Sequence, residues 1–141
     1  MDASLKRQNI STSIKKFFWD SLYSNHGYNV VFDKEFSPPE NQDTDNWINI
    51  LIENLEPDVV SLVDLSIYIF TRKDTEGNKI NEIRDNIMSY LLTGHMDLYD
   101  ETMTKFGGAM IYIDYEDGIR HVSDESKMIS IVCTLKWGAK C

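Results

Sequence analysis

The chain has 141 residues, 42% of them hydrophobic and 26% charged, with a formal net charge of −9. That length suits one domain, 1–141, with a core of its own. So large an excess of acid argues against gripping nucleic-acid phosphates, and against a basic membrane-binding surface, as the main task. In chain order, Leu5 to Tyr23 reads as an amphipathic helix. Leu5, Ile10, Ile14, Phe17, Phe18 and Leu22 recur at helical spacing, and Lys6, Arg7, Lys15 and Lys16 fill the other side. Gly27 suits a left-handed helix end, and Tyr28 to Phe32 a short strand. Asp33 to Asp45 has two prolines, many acids and no apolar period, which predicts a flexible acidic loop at about 33–45.

Trp47 to Leu55 predicts a strand with Ile48, Ile50 and Ile52 on one face. Glu56-Pro57-Asp58 is a turn, and Val59 to Thr71 a long strand, so the pair reads as an antiparallel hairpin. Arg72 to Lys79 is a polar loop. A second helix is expected from about Ile80 to Leu92, with Ile80, Ile83, Ile87 and Leu91 in one stripe and Thr93-Gly94 ending it. Between residues 95 and 108 the pattern is weak; Asp100 would cap one helical turn, and Gly107-Gly108 would be a hinge. Ala109 to Glu116 predicts a strand with Ile111, Ile113 and Tyr115 on one face. Asp117-Gly118 is a turn signal, and Lys127 to Trp137 the last strand. The expected order is α-β-β-β-α-β-β. It describes an α+β fold, a mostly antiparallel sheet with two amphipathic helices packed on one face.

Residue types that carry chemistry do not converge. His26, His95 and His121 fall in predicted loops or turns, with no partner at metal spacing. There is no nucleophile elbow or phosphate-binding glycine loop. Cys133 sits in an apolar strand pattern and reads as a buried reduced thiol; Cys141, the last residue, could bridge chains. Asp58 with Glu125-Ser126-Lys127 has the residue types of a metal-dependent nuclease, but a turn former and a strand starter explain them more simply. Asp114 to Asp117 reads as a solvated strand end rather than a calcium site. No cofactor, metal or catalytic residue is expected. The N-terminus has no apolar stretch of a signal peptide, and no apolar run approaches membrane-spanning length.

Charge is unevenly distributed. From Asp33 to Asp58 there are eight acids against Lys34, while the first helix carries Lys6, Arg7, Lys15 and Lys16. A molecule with a basic end and an acidic end suits head-to-tail contacts between copies. The stretch Val60 to Phe70 adds a second hint, because both of its faces are apolar. Val63, Leu65, Ile67 and Ile69 are assigned to the core. Leu62, Asp64, Tyr68 and Phe70, together with Lys15 and Lys16, are the candidate subunit or tube interface, with Asp64 expected to find a basic or hydrogen-bonding partner.

A leading helix, a hairpin with a long second strand, a helix of the form INEIRDNIMSYLL and closing strands ending near LKWGAK resemble the tail-terminator proteins of long-tailed bacteriophages. These are also called tail-completion or head-tail joining proteins. The resemblance covers nearly the whole chain, and Asn46 to Leu92 carries most of it. It rests on element order and texture, so no functional residue transfers by motif. It implies a structural virion protein without catalysis, assembled in the host cytoplasm and located in the neck region of the tail. There it would form a homo-oligomer, a hexameric ring that caps the tail tube and stops its polymerisation. Its partners would be the tube protein, a neck or head-completion protein and possibly a sheath protein, with DNA passing through the lumen unbound and no membrane involved. Glu35, Glu40, Asp43, Asp45, Glu56 and Asp58 are the candidate channel-lining acids, since an acidic wall repels phosphate. The alternatives are another phage neck or baseplate adaptor, or an unrelated small binding module or enzyme of the cytoplasm.

Overall fold

A computed structural model describes residues 7–32, 45–56, 60–74, 76–121 and 126–138. Among them run α1 (Arg7–Phe18), a π-helical continuation (Trp19–Ser24), β1 (Val30–Phe32), β2 (Asn46–Glu56), β3 (Val60–Thr71) and α2 (Asn78–Leu91). β4 (His95–Tyr99), β5 (Lys105–Glu116), β6 (Arg120–His121) and β7 (Lys127–Gly138) follow. The fold is α+β, with a curled mixed sheet in the order β1-β2-β3-β7-β5-β4 and β6 pairing with β7. β1 lies parallel to β2, and every other pair is antiparallel.

One face of the sheet carries the core. Ile10, Ile14, Phe18 and Leu22 of the first helix and Ile80, Ile83, Ile87 and Leu91 of α2 join a single buried cluster. Val63, Leu65, Ile67 and Ile69 meet them from β3, as their alternation predicts, and Ile129, Ile131, Cys133 and Leu135 from β7. Each such side chain, removed from water, contributes about 1.5–3 kcal/mol before chain entropy is counted. Both helices therefore lie on the same face, as expected.

The element order needs correction. Residues 95–108 do not form a helical turn and a hinge; they form β4, a loop and the start of β5. Asp100 organises that loop: its Oδ1 accepts from the Thr102 and Thr104 N–H groups at 2.9 and 3.0 Å, and Met103 adopts φ +62°. Gly107 and Gly108 pair with Leu98 and Asp97 inside the ladder. The observed order is α-β-β-β-α-β-β-β-β. Asp117-Gly118 does not reverse the chain either. β6 pairs with β7 in the same sense as β5 does, so the backbone bends and runs on. His95 and His121 consequently lie in strands.

The helix ends follow local chemistry. Gly27, at φ +71°, closes the first helical segment with its N–H on the Tyr23 carbonyl, as predicted. The sequence pattern makes the start of α2 a plain polar loop, yet a buried acid governs it. Asp74 accepts from the Lys79 and Ile80 N–H groups at 3.1 and 2.9 Å and from the Thr71 hydroxyl at 3.1 Å. Lys127, buried, donates to the Asp74 carbonyl. Burial alone would raise the Asp74 carboxyl. The Ile80 and Lys79 N–H groups, the Thr71 hydroxyl and the Lys127 charge outweigh it and hold the group below its ordinary value.

Candidate functional site

The face of the sheet turned away from the helices holds the interface candidates from β3. Register sets it out in rows across the strands. Trp47, Phe70 and Met128 form one; Asn49, Tyr68 and Ser130 the next. Leu51, Ser66, Val132 and Tyr115 follow, and then Glu53, Asp64, Thr134 and Tyr112. Leu62, Lys136, Met110 and His95 make the last. These rows are neither a solvated polar face nor a second core.

The expected residues fare differently along it. Leu62, Asp64 and Tyr68 are half-buried. Phe70 is already covered by its own chain: its ring stacks on Trp47 at 5.1 Å, and the Arg72 guanidinium sits 4.8 Å from the Trp47 ring centre. Phe70 is thus a closed end of the face rather than open surface. Asp64 lies beside the Thr134 hydroxyl at 3.4 Å, although that hydroxyl is closer to Asp114, at 2.6 Å.

The exposed apolar surface lies two strands away, on β5. Met110, Tyr112 and Tyr115 are 54%, 45% and 56% exposed. A period of two would put Tyr112 and Tyr115 on opposite faces. The register of β5 against β7 slips between Ile113 and Tyr115, leaving Asp114 as an extra residue. Tyr115 therefore pairs with Val132 on the outer face, not with Ile111 and Ile113 on the core face as its spacing predicted. The same slip turns Glu116 to the helix side, where Arg84 of α2 holds it through two hydrogen bonds of 2.6 and 2.7 Å. The Lys136 ammonium lies 5.1 Å from the Tyr112 ring centre.

The basic end of the molecule is partly neutralised by its own structure. Lys16 pairs with Asp20 at 2.6 Å, a hydrogen bond that raises the lysine pKa, and lies over the Tyr99 ring. Lys15 lies over Phe32 at 5.9 Å. Among the channel candidates, Asp45 is exposed and 3.9 Å from Lys73. Glu35, Glu40, Asp43 and Asp58 lie outside the described residues, as do most of the acidic loop and Glu125; Glu56 ends β2, its side chain likewise outside the description.

Other polar clusters have structural work. His26 stacks on Tyr28 and bonds the Tyr90 hydroxyl at 2.9 Å, tying the end of the first helical segment to α2. Cys133 is a free, buried thiol whose pKa burial, then the charges of Asp114 and Asp64, push up to about 12. Among the described residues, no three of His, Cys, Asp and Glu come together to hold a metal, and no helix is long and apolar enough to cross a membrane. A cleft of about 130 Å³ between α1 and β4, lined by Ser13, Lys16, Asp20, Asp97 and Tyr99, is small for a metabolite.

Comparison with known proteins bears on the fold. No family model matches the chain, and no curated protein does. Thirteen solved chains match it in structure. One of them aligns with TM-score 0.65 over 93% of this chain and 94% of its own, at 7% identity. Likeness at that identity shows a shared fold alone.

Proposed function

We propose that the protein is a ring-forming structural component of a phage tail, a tail terminator. It would cap the tail tube at its head-proximal end, stop tube polymerisation and join the tail to the neck, without catalysis. One observation carries this reading: the β5 portion of the sheet face opposite the helices presents Met110, Tyr112 and Tyr115 to solvent. Aromatic and methionine side chains are enriched at the centres of protein interfaces. Element order and acidic charge support the same reading. The proposed ring has six copies, and the acids of 33–45 and of the Glu56 to Asp58 turn would rim a channel that DNA traverses without sticking.

The test is direct. Light scattering of the purified protein is expected to give a hexamer mass, and electron microscopy a ring. Antibody labelling of virions is expected to mark the tail end nearest the head. A chain that stays monomeric at high concentration and is absent from particles overturns the proposal.

A further inference from the structure

At one corner of the sheet, where β2 begins and β3 ends, two hydrogen-bond donors meet no acceptor. The half-buried Arg72 guanidinium lies over the Trp47 ring, 4.8 Å from its centre, and that ring stacks on Phe70 at 5.1 Å. Among the described residues, no carboxylate, carbonyl or hydroxyl bonds the guanidinium. The Nε1–H of the indole it covers is buried and has no acceptor there either. Native chains satisfy nearly all such groups, and a guanidinium carries five N–H donors. Asp45, across the ladder, does not supply the acceptor; its carboxylate lies 3.9 Å from the Lys73 ammonium. Arg84 and Arg120, by contrast, are matched to acids, Arg84 by its fork on Glu116 and Arg120 by Asp117 at 3.1 Å.

The guanidinium is held in place before any ligand arrives. The Arg72 N–H bonds the Asp45 carbonyl at 2.6 Å, extending the β2–β3 ladder by one residue. Lys73 then adopts φ +56°, so the chain leaves the strand directly after Arg72. Lying over an indole uses a face of the guanidinium and leaves its edge, where the N–H groups point, for another group. Little side-chain freedom remains to be lost on binding. Two N–H groups of that edge match the two oxygens of a carboxylate. Arginine and tryptophan are also the residue types that anchor protein interfaces. Charge narrows the ligand further. Asp45 flanks the corner in a chain of net charge −9, so a multiply charged phosphate is repelled more than a single carboxylate. We propose that the Arg72–Trp47 stack is a binding site for one carboxylate, a glutamate or aspartate side chain presented by a protein partner. The site serves a monomer or a ring alike, so it does not depend on the tail reading.

The experiment titrates the full chain with acetyl-glycyl-glutamyl-glycine amide and follows the Arg72 Nε–H and the backbone amides of residues 71–73 by NMR. Saturable shifts are expected, with none from the same peptide carrying glutamine in place of glutamate. At equal ionic strength, inorganic phosphate is expected to bind at least about threefold more weakly than the glutamate peptide. Arg72→Lys keeps the charge and loses the fork, so its affinity for the glutamate peptide is expected to fall about tenfold. No shift with the glutamate peptide, or equal shifts with the glutamine peptide, overturns the proposal. Arg72→Lys binding as tightly as wild type also overturns it, because charge alone then suffices. Phosphate binding more tightly than the peptide overturns the carboxylate as the ligand. Protection of the Cys133 thiol checks that the variant is folded. If Arg72→Lys fails to fold, Arg72→Gln is read the same way, and the wild-type titrations decide without either.

Discussion

Arg84 on α2 grips Glu116 at the end of β5 with both nitrogens of its fork, 2.6 and 2.7 Å from the two carboxylate oxygens. Both side chains are about a third exposed or less. The pair ties the helix layer to the strand whose opposite face carries Tyr112 and Tyr115. A paired geometry of this kind exceeds an ordinary surface ion pair. A double-mutant cycle with Arg84→Ala and Glu116→Gln is expected to give a coupling of about 1 kcal/mol, falling with added salt. Zero coupling in denaturant titrations would refute the link.

The bulge at Asp114 makes a less obvious prediction. Deleting Asp114 restores a regular strand in which Tyr115 still pairs with Val132 and Glu116 with Ile131. The faces are preserved, and a loss of only about 1 kcal/mol is expected. Deleting Ile113 instead moves Asp114 to the core position opposite Cys133. That deletion is expected to cost about 3 kcal/mol or more, because a carboxylate enters an apolar site. Paired chemical denaturations measure both, and equal costs would show that the bulge does not set the facing.

Asp74 should govern acid stability. Its folded carboxyl is held below its unfolded value, so its stabilisation is complete above the unfolded value, near pH 4, and is lost as pH falls through the folded value. Asp74→Asn is expected to cost on the order of 2 kcal/mol at neutral pH, since two helix-start N–H groups lose a charged acceptor. The gap between wild type and variant should shrink in thermal melts taken progressively below pH 4. A gap constant with pH would show that the charge is irrelevant.

Cys133 should be chemically silent while the protein is folded. With its pKa pushed up to about 12 and its side chain in the core, thiolate is scarce and reagent has no access. In a Cys141→Ser background, labelling by a disulfide reagent at pH 8 is expected to be at least roughly a thousandfold slower than in denaturant, paced by opening of the fold. Rapid native labelling would contradict the burial of β7.

Alternation groups Phe70 with Tyr68, and the structure separates them. Phe70→Ala is expected to destabilise the monomer by about 3 kcal/mol, since it vacates the Trp47 stack. Tyr68→Ala, at a half-buried site, is expected to cost less than half as much. Equal losses in urea titrations would return Tyr68 to the core.

Much of this was readable along the chain because it rests on local periodicity. The stripes Ile10, Ile14, Phe18, Leu22 and Ile80, Ile83, Ile87, Leu91 repeat at helical spacing, and Val63, Leu65, Ile67, Ile69 alternate as a strand does. What escaped depends on partners distant in sequence. β4 has no local signal, because His95 to Tyr99 is short and mixed, and becomes a strand by pairing with β5. Asp74 looked like one more loop acid until α2 folded over it and Lys127 arrived from β7. Spacing alone puts Tyr115 on the core face, because a bulge shows itself only against a partner strand; two tyrosines three residues apart around an aspartate are the faint local sign of it.

The sequence by itself determined the α+β class, both helices, the long hairpin and the core face of β3, because burial of an apolar stripe needs nothing beyond the spacing of its own residues. Tertiary structure decided which outer surfaces stay open: Trp47 closes the face over Phe70, Asp20 neutralises Lys16, and the slip at Asp114 brings Tyr112 and Tyr115 together. Exposure is a property of what the rest of the chain leaves uncovered, and no local pattern contains it.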